Sequence, residues 1–206
     1  TAVAENEYAI GYVSIGSLYE TVRALKIDGV EPTTENIKNG SYKIARPFNI
    51  ATKGYLTELT EDFIDFIMSK EGQEIISHSF IAIDDNALPY AGSKPSGKII
   101  IAGSTSVTPI MEKLREAYLK INPNTEIEIH SIGSSAGIQA VMNGTADIAM
   151  ASRDLKDNEK AELNPITIAI DGIAVINNPG NTIDNLSLED LRKIFIGEIR
   201  KWSDIE

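Results

Sequence analysis

Apolar positions come in short runs in the first part of the chain and in a regular alternation with helix-like stretches in the second. Residues 8–15 (Tyr-Ala-Ile-Gly-Tyr-Val-Ser-Ile) are β-branched and aromatic and predict a strand, followed by a helix from Ser17 to about Leu25. A short strand over 26–30, a helix start at 32–36 and a strand over 46–52 come next. Phe63, Ile64, Ile67 and Met68 share one helix face, for which Thr60 is the expected N-cap, and the pattern restarts through Gln73–Ile76 before a short strand at 80–83. Periodicity is lost over Asp84–Lys98, a stretch with Pro, Gly, Ser and charge that reads as a linker. Beyond it, strands at 99–102, 126–129 and 146–150 alternate with helices at 109–121 and 136–143. That alternation predicts a parallel sheet with covering helices. A long strand over 166–176 and a helix from Ser187 to Gly197 complete the reading.

Two of the strand-to-helix junctions carry Gly/Ser/Thr loops, Gly103-Ser104-Thr105-Ser106-Val107-Thr108-Pro109 and Gly133-Ser134-Ser135-Ala136-Gly137. The first turn of a helix has N–H groups with no intrahelical partner, and the aligned peptide dipoles put partial positive charge there. Glycine lets backbone approach a ligand and hydroxyls add donors, so this pattern suits an oxyanion.

Composition narrows the classes. Among 206 residues, 19 Lys+Arg against 30 Asp+Glu give a net charge of −11, which argues against nucleic acid or an anionic membrane surface as main partner. No Cys is present, which excludes disulfides, thiolate metal sites and a Cys nucleophile. His78 and His130 are isolated and predict no metal site, no cofactor is implied, and Trp202 is expected as a core anchor. No apolar run approaches bilayer length, and the first residues lack a signal pattern. Gly133–Gly137 also spells G-x-S-x-G, the context of a hydrolase nucleophile. Ser135 would then need a His base, and no His follows His130.

The residues Lys98-Ile-Ile-Ile-Ala-Gly-Ser-Thr-Ser-Val-Thr-Pro109, Ser131-Ile-Gly-Ser-Ser-Ala-Gly137 and Ala146-Asp-Ile-Ala-Met-Ala-Ser-Arg-Asp154 resemble the mature N-terminal part of phosphate-binding proteins that serve phosphate ABC transporters. Ala9-Ile-Gly-Tyr-Val13, Arg46-Pro-Phe48 and Phe66-Ile-Met-Ser-Lys-Glu-Gly-Gln73 resemble that family's C-terminal part. The two parts stand in reversed order, as a circular permutation or the junction of tandem copies would leave them. The family's intervening segment, with an Arg, an Asp and a Ser-Gly-Thr helix start, is not among these residues.

The resemblance implies an α/β, two-lobed periplasmic-binding-protein-like fold of type II, circularly permuted and with its second lobe truncated. The more complete lobe is expected over 46–170, with the linker inside it, and the truncated one over 1–45 and 171–206. It further implies an extracytoplasmic, non-enzymatic protein, lipid-anchored as a precursor. Such a protein captures inorganic phosphate in an inter-lobe cleft and releases it to a membrane permease. The implied phosphate ligands are Thr105, Ser106 and Ser134, with Ser135 capping the helix or adding a donor. Ser152 stands where some members have an Asp acceptor, and Arg153 is a candidate ion-pair donor. The alternative is a non-binding scaffold that needs a complementing segment or self-associates.

Overall fold

The computed structural model describes residues 2–205, which divide into two compact units, one of residues 2–45 with 171–205 and the other of Arg46–Ile170. The first unit opens with helix α1 (Ala2–Glu5), strands β1 (Ile10–Ser14), β2 (Arg23–Ala24) and β3 (Lys26–Ile27), and helix α2 (Thr34–Lys38). Thr33 caps α2 by accepting from the Asn36 N–H. The expected helix over 17–25 does not form. Leu25 N donates to Val175 O at 2.8 Å, Arg23 and Ala24 pair with a distant strand, and the Arg23 guanidinium donates to the carbonyls of Pro179 and Asn181. Tertiary pairing with a strand overrides the local preference of this short segment.

The second unit holds β4 (Ala45–Thr52), α3 (Glu58–Met68), α4 (Lys70–Ser77), β5 (Ile81–Ala82), β6 (Gly97–Gly103), α5 (Thr108–Ile121), β7 (Thr125–Ser131), α6 (Ser134–Met142), β8 (Ile148–Ala151), α7 (Asp157–Lys160) and the first half of β9 (Asn164–Asn177). The N-cap of α3 is Thr57, not Thr60: the Thr57 hydroxyl accepts from the Thr60 N–H, and buried Leu59 already lies in the first turn. At its centre β6 runs parallel to β7 and to β8, as the alternation predicts, while β8 pairs antiparallel with β4 and β5 antiparallel with β9.

Strand β6 is covered on both faces. Ile99 and Ile101 join Phe48, Ile50, Phe63, Phe66, Ile110, Met111, Leu114 and Tyr118 in the larger core. Ala102 faces a smaller core with Ile138, Val141, Ala149 and Leu155. Small residues on that second face let α6 come close. The linker is held rather than loose: the buried Asp62 carboxylate of α3 accepts from the hydroxyls of Tyr90 and Tyr118, each at 2.5 Å, and from the Ser93 N–H at 2.8 Å. Burial pushes this carboxyl up, but those donors outweigh it and hold the group below the usual carboxylate range.

The remaining residues return to the first unit, with β10 (Asn185–Leu186) and α8 (Leu188–Phe195). There the end of β9 is flanked by β1 and β2, both antiparallel, and β10 pairs parallel with β3. Its core is small, built on Val3, Ala174 and Ile176. Trp202 is half-buried in a short 3-10 turn and donates its indole N–H to Tyr8 O at 2.9 Å, so it staples the chain end rather than anchoring a core.

The approach of α6 to β6 is testable. A Cβ on Gly137 would lie 2.3 Å from Ala102 O and 2.4 Å from Gly103 Cα, both backbone atoms that cannot swing aside. Gly137→Ala should lower stability by about 2–3 kcal/mol in denaturant unfolding; an unchanged midpoint would show that the helix can retreat.

Candidate functional site

The candidate site lies in the second unit, where three loops follow β6, β7 and β8. Gly103 ends β6 at φ 146°, and a Cβ there would lie 2.2 Å from Met150 O, so the first loop starts with its backbone pressed against β8. Ser104 N donates to Met150 O at 2.9 Å. Buried Ser104 then organises the turn: its carbonyl accepts from the N–H groups of Val107 and Thr108 and from the Thr108 hydroxyl, and its own hydroxyl accepts from the Ser106 N–H at 3.2 Å. Thr105 is thereby left at the exposed tip, and among the described residues neither its N–H and hydroxyl nor the Ser106 hydroxyl has a partner. Helix α5 starts without a side-chain cap and has Pro109 in its first turn, where no N–H is needed.

The second loop is stitched to the first. Gly103 O accepts from Ile132 N at 3.0 Å and Gly133 N at 2.8 Å, and the Thr108 hydroxyl reaches the Ser131 hydroxyl at 3.2 Å. Gly133, at φ 88°, is the N-cap of α6 and has no side chain to cap it. The N–H groups of Ser134, Ser135 and Ala136 therefore have no acceptor among the described residues. Three parallel donors at the positive end of a helix dipole form an oxyanion cradle.

The third loop adds Ser152 and Arg153. Ser152 N donates to the Ser134 hydroxyl at 3.3 Å, which links this loop to α6. The Arg153 guanidinium is committed elsewhere: Nη1 and Nη2 donate to the two Glu159 carboxylate oxygens at 2.8 and 2.9 Å, and Nη2 reaches Ser135 Oγ at 3.4 Å. Glu159 is buried in α7 and also accepts from Lys156 N at 2.8 Å. The structure thus brings together Thr105, Ser106, Ser134, Ser135, Ser152 and Arg153, but it pairs the one cation with a carboxylate. Ser104 and Glu159 were not singled out in the sequence. Ser104 was masked by its more prominent hydroxyl neighbours, and Glu159 by looking like one acid in a charged surface run.

A Ser135 nucleophile has no base here, since the neighbour of its hydroxyl is a guanidinium, which cannot take a proton. Among the described residues no group of His, Asp and Glu could hold a metal, and no helix is long and apolar enough to cross a membrane. A cavity of about 580 Å³ in the first unit, lined by residues including Tyr8, Ile10, Ile194 and Trp202, contains none of the loop residues. A small oxyanion needs donors rather than volume.

These features sit in a chain whose residues 88–205 match the model of the PBP superfamily domain. Phosphate-binding protein PstS 2 of Streptococcus agalactiae is 48% identical over 207 residues, covering 100% of this chain and 71% of that protein. The chain belongs to the phosphate-binding protein PstS family. A crystal structure of a phosphate-binding protein of a phosphate ABC transporter from Streptococcus pneumoniae TIGR4 superposes with a TM-score of 0.95 at 45% identity, covering 100% of this chain and 80% of the other. Phosphate-binding protein PstS of Staphylococcus haemolyticus is 37% identical over 111 residues, which is 50% of this chain.

The Arg153–Glu159 pair predicts an acid response. Hydrogen bonds from Arg153 hold the Glu159 carboxyl at about 2, down from 4.5 and against the upward push of burial. A depressed carboxyl contributes stability that is complete above its unfolded value and lost as pH falls through the folded one. The thermal midpoint of the natural protein should therefore exceed that of Glu159→Gln above about pH 4.5, and the difference should close toward pH 2. A difference independent of pH would show that the ion pair is not its source.

Proposed function

We propose that this chain binds inorganic phosphate at the three loops and serves a phosphate ABC transporter. The observation that carries the reading is the uncapped N-terminus of α6, with the unsatisfied N–H groups of Ser134, Ser135 and Ala136 beside the free N–H of Thr105. Hydroxyls of Thr105, Ser106, Ser134 and Ser135 supply further donors. Ser152, whose hydroxyl both donates and accepts, takes the proton-bearing oxygen of hydrogen phosphate. The likeness of the whole of this chain to 80% of a phosphate-binding protein of known structure supports this reading. By the same likeness the protein works outside the cytoplasmic membrane, hands phosphate to a membrane permease and catalyses no reaction.

The order of the two parts is a natural permutation shared with the PstS 2 proteins. Two observations support this. The S. agalactiae relative aligns through the whole chain, whereas the S. haemolyticus protein and the superfamily model each match only about half of it. A protein with its halves exchanged can be aligned to the usual order only one half at a time.

Calorimetric titration with phosphate, with sulfate as control, tests the reading. Phosphate should bind in preference to sulfate, and Ser134→Ala should weaken it by about tenfold, the loss of one hydrogen bond to a charged group. Binding in the millimolar range would mean that the shell is shared with a complementing segment. No heat with phosphate, or an unaltered affinity in Ser134→Ala, would contradict the assignment.

A further inference from the structure

Arg153 looks like the obvious cation for an anion site, yet both of its terminal nitrogens are already engaged. Nη1 donates to Glu159 Oε2 and Asp154 O, at 2.8 and 2.9 Å, and Nη2 to Glu159 Oε1 and Ser135 Oγ, at 2.9 and 3.4 Å. The carboxylate that holds it is buried and is itself fixed by Lys156 N. A guanidinium chelated in this way has a fixed plane and cannot swing to meet a ligand as a free side chain would.

A hydroxyl has one hydrogen and two lone pairs. When Nη2–H occupies a lone pair of Ser135, the hydrogen of that hydroxyl is directed to an acceptor elsewhere. Ser135 stands in the first turn of α6, beside its unsatisfied N–H groups. Ser134 repeats the arrangement, with the Ser152 N–H on its oxygen. Both hydroxyls are therefore biased to act as donors, and a cation on the Ser135 oxygen makes that O–H the stronger of the two.

We propose that Arg153 and Glu159 are positioning residues of the anion site: Glu159 chelates the guanidinium, the guanidinium takes a lone pair of Ser135, and the Ser135 hydroxyl donates to the bound oxyanion. The charge of Arg153 thus reaches the ligand through Ser135 and not by direct ion pairing. This inference rests on the assignment of the loops as the phosphate site.

A double-substitution cycle with inorganic phosphate, read by calorimetry, tests it. Arg153→Gln should weaken phosphate roughly three- to tenfold in the natural protein and less than twofold when Ser135→Ala is already present, because contacting groups couple. Arg153→Lys, which keeps the charge and loses the planar fork, should behave like Arg153→Gln. If Arg153→Gln alone does not fold because Glu159 is left unpaired, the same cycle is run with Arg153→Gln and Glu159→Gln together. An equal loss in both Ser135 backgrounds, or full rescue by lysine, overturns the relay while leaving the phosphate site standing. Absence of phosphate binding by the natural protein overturns both.

Discussion

Close approach of α6 to the end of β6 is the constraint from which the site follows. Gly137 brings the helix backbone against Ala102 and Gly103, and Gly103 brings the strand end against Met150. No Cβ fits at either contact. With the backbones that close, one carbonyl, Gly103 O, accepts from both Ile132 and Gly133 and fixes where α6 begins. The N-terminus of α6 then lies beside the Thr105 loop, and no side chain among the described residues caps it. A helix end in this state costs stability unless water or a ligand satisfies it.

Electrostatics then selects how such a site works. The protein carries a net charge of −11, and Arg153, the cation among the candidate ligands, is paired with a buried carboxylate. In the proposed site, attraction for an anion comes from short-range donors and from the helix dipole. These act only at contact, and they discriminate by geometry and by the number of hydrogen-bonding oxygens. A site of this kind admits an anion into an acidic protein without a patch of lysines that would also attract polyanions.

Much of this was legible in the residues themselves. The strands at 97–103, 125–131 and 148–151 and the helices between them follow the apolar pattern, and the Gly/Ser/Thr loops between them mark the helix starts. What was not legible depends on contacts distant in sequence. Segment 17–25 has enough helix-compatible residues to suggest a helix, but Leu25 N finds Val175 O across the sheet. Thr57 and Thr60 both carry a capping hydroxyl, and the folded chain uses Thr57, which accepts from the Thr60 N–H and lets Leu59 be buried in the first turn. Arg153 carries no mark in the sequence that its partner is Glu159, because a surface ion pair six residues apart and a buried chelate look alike in a string of letters.

Backbone N–H groups at the start of α6 and at the tip of the first loop are the proposed holders of the anion. A ¹H–¹⁵N correlation titration of the protein with inorganic phosphate tests this assignment most directly. Saturable shifts are expected at the amides of Thr105, Ser134, Ser135 and Ala136, moving together with a single affinity. Shifts centred instead on residues around Trp202, with those four amides unmoved, would contradict it.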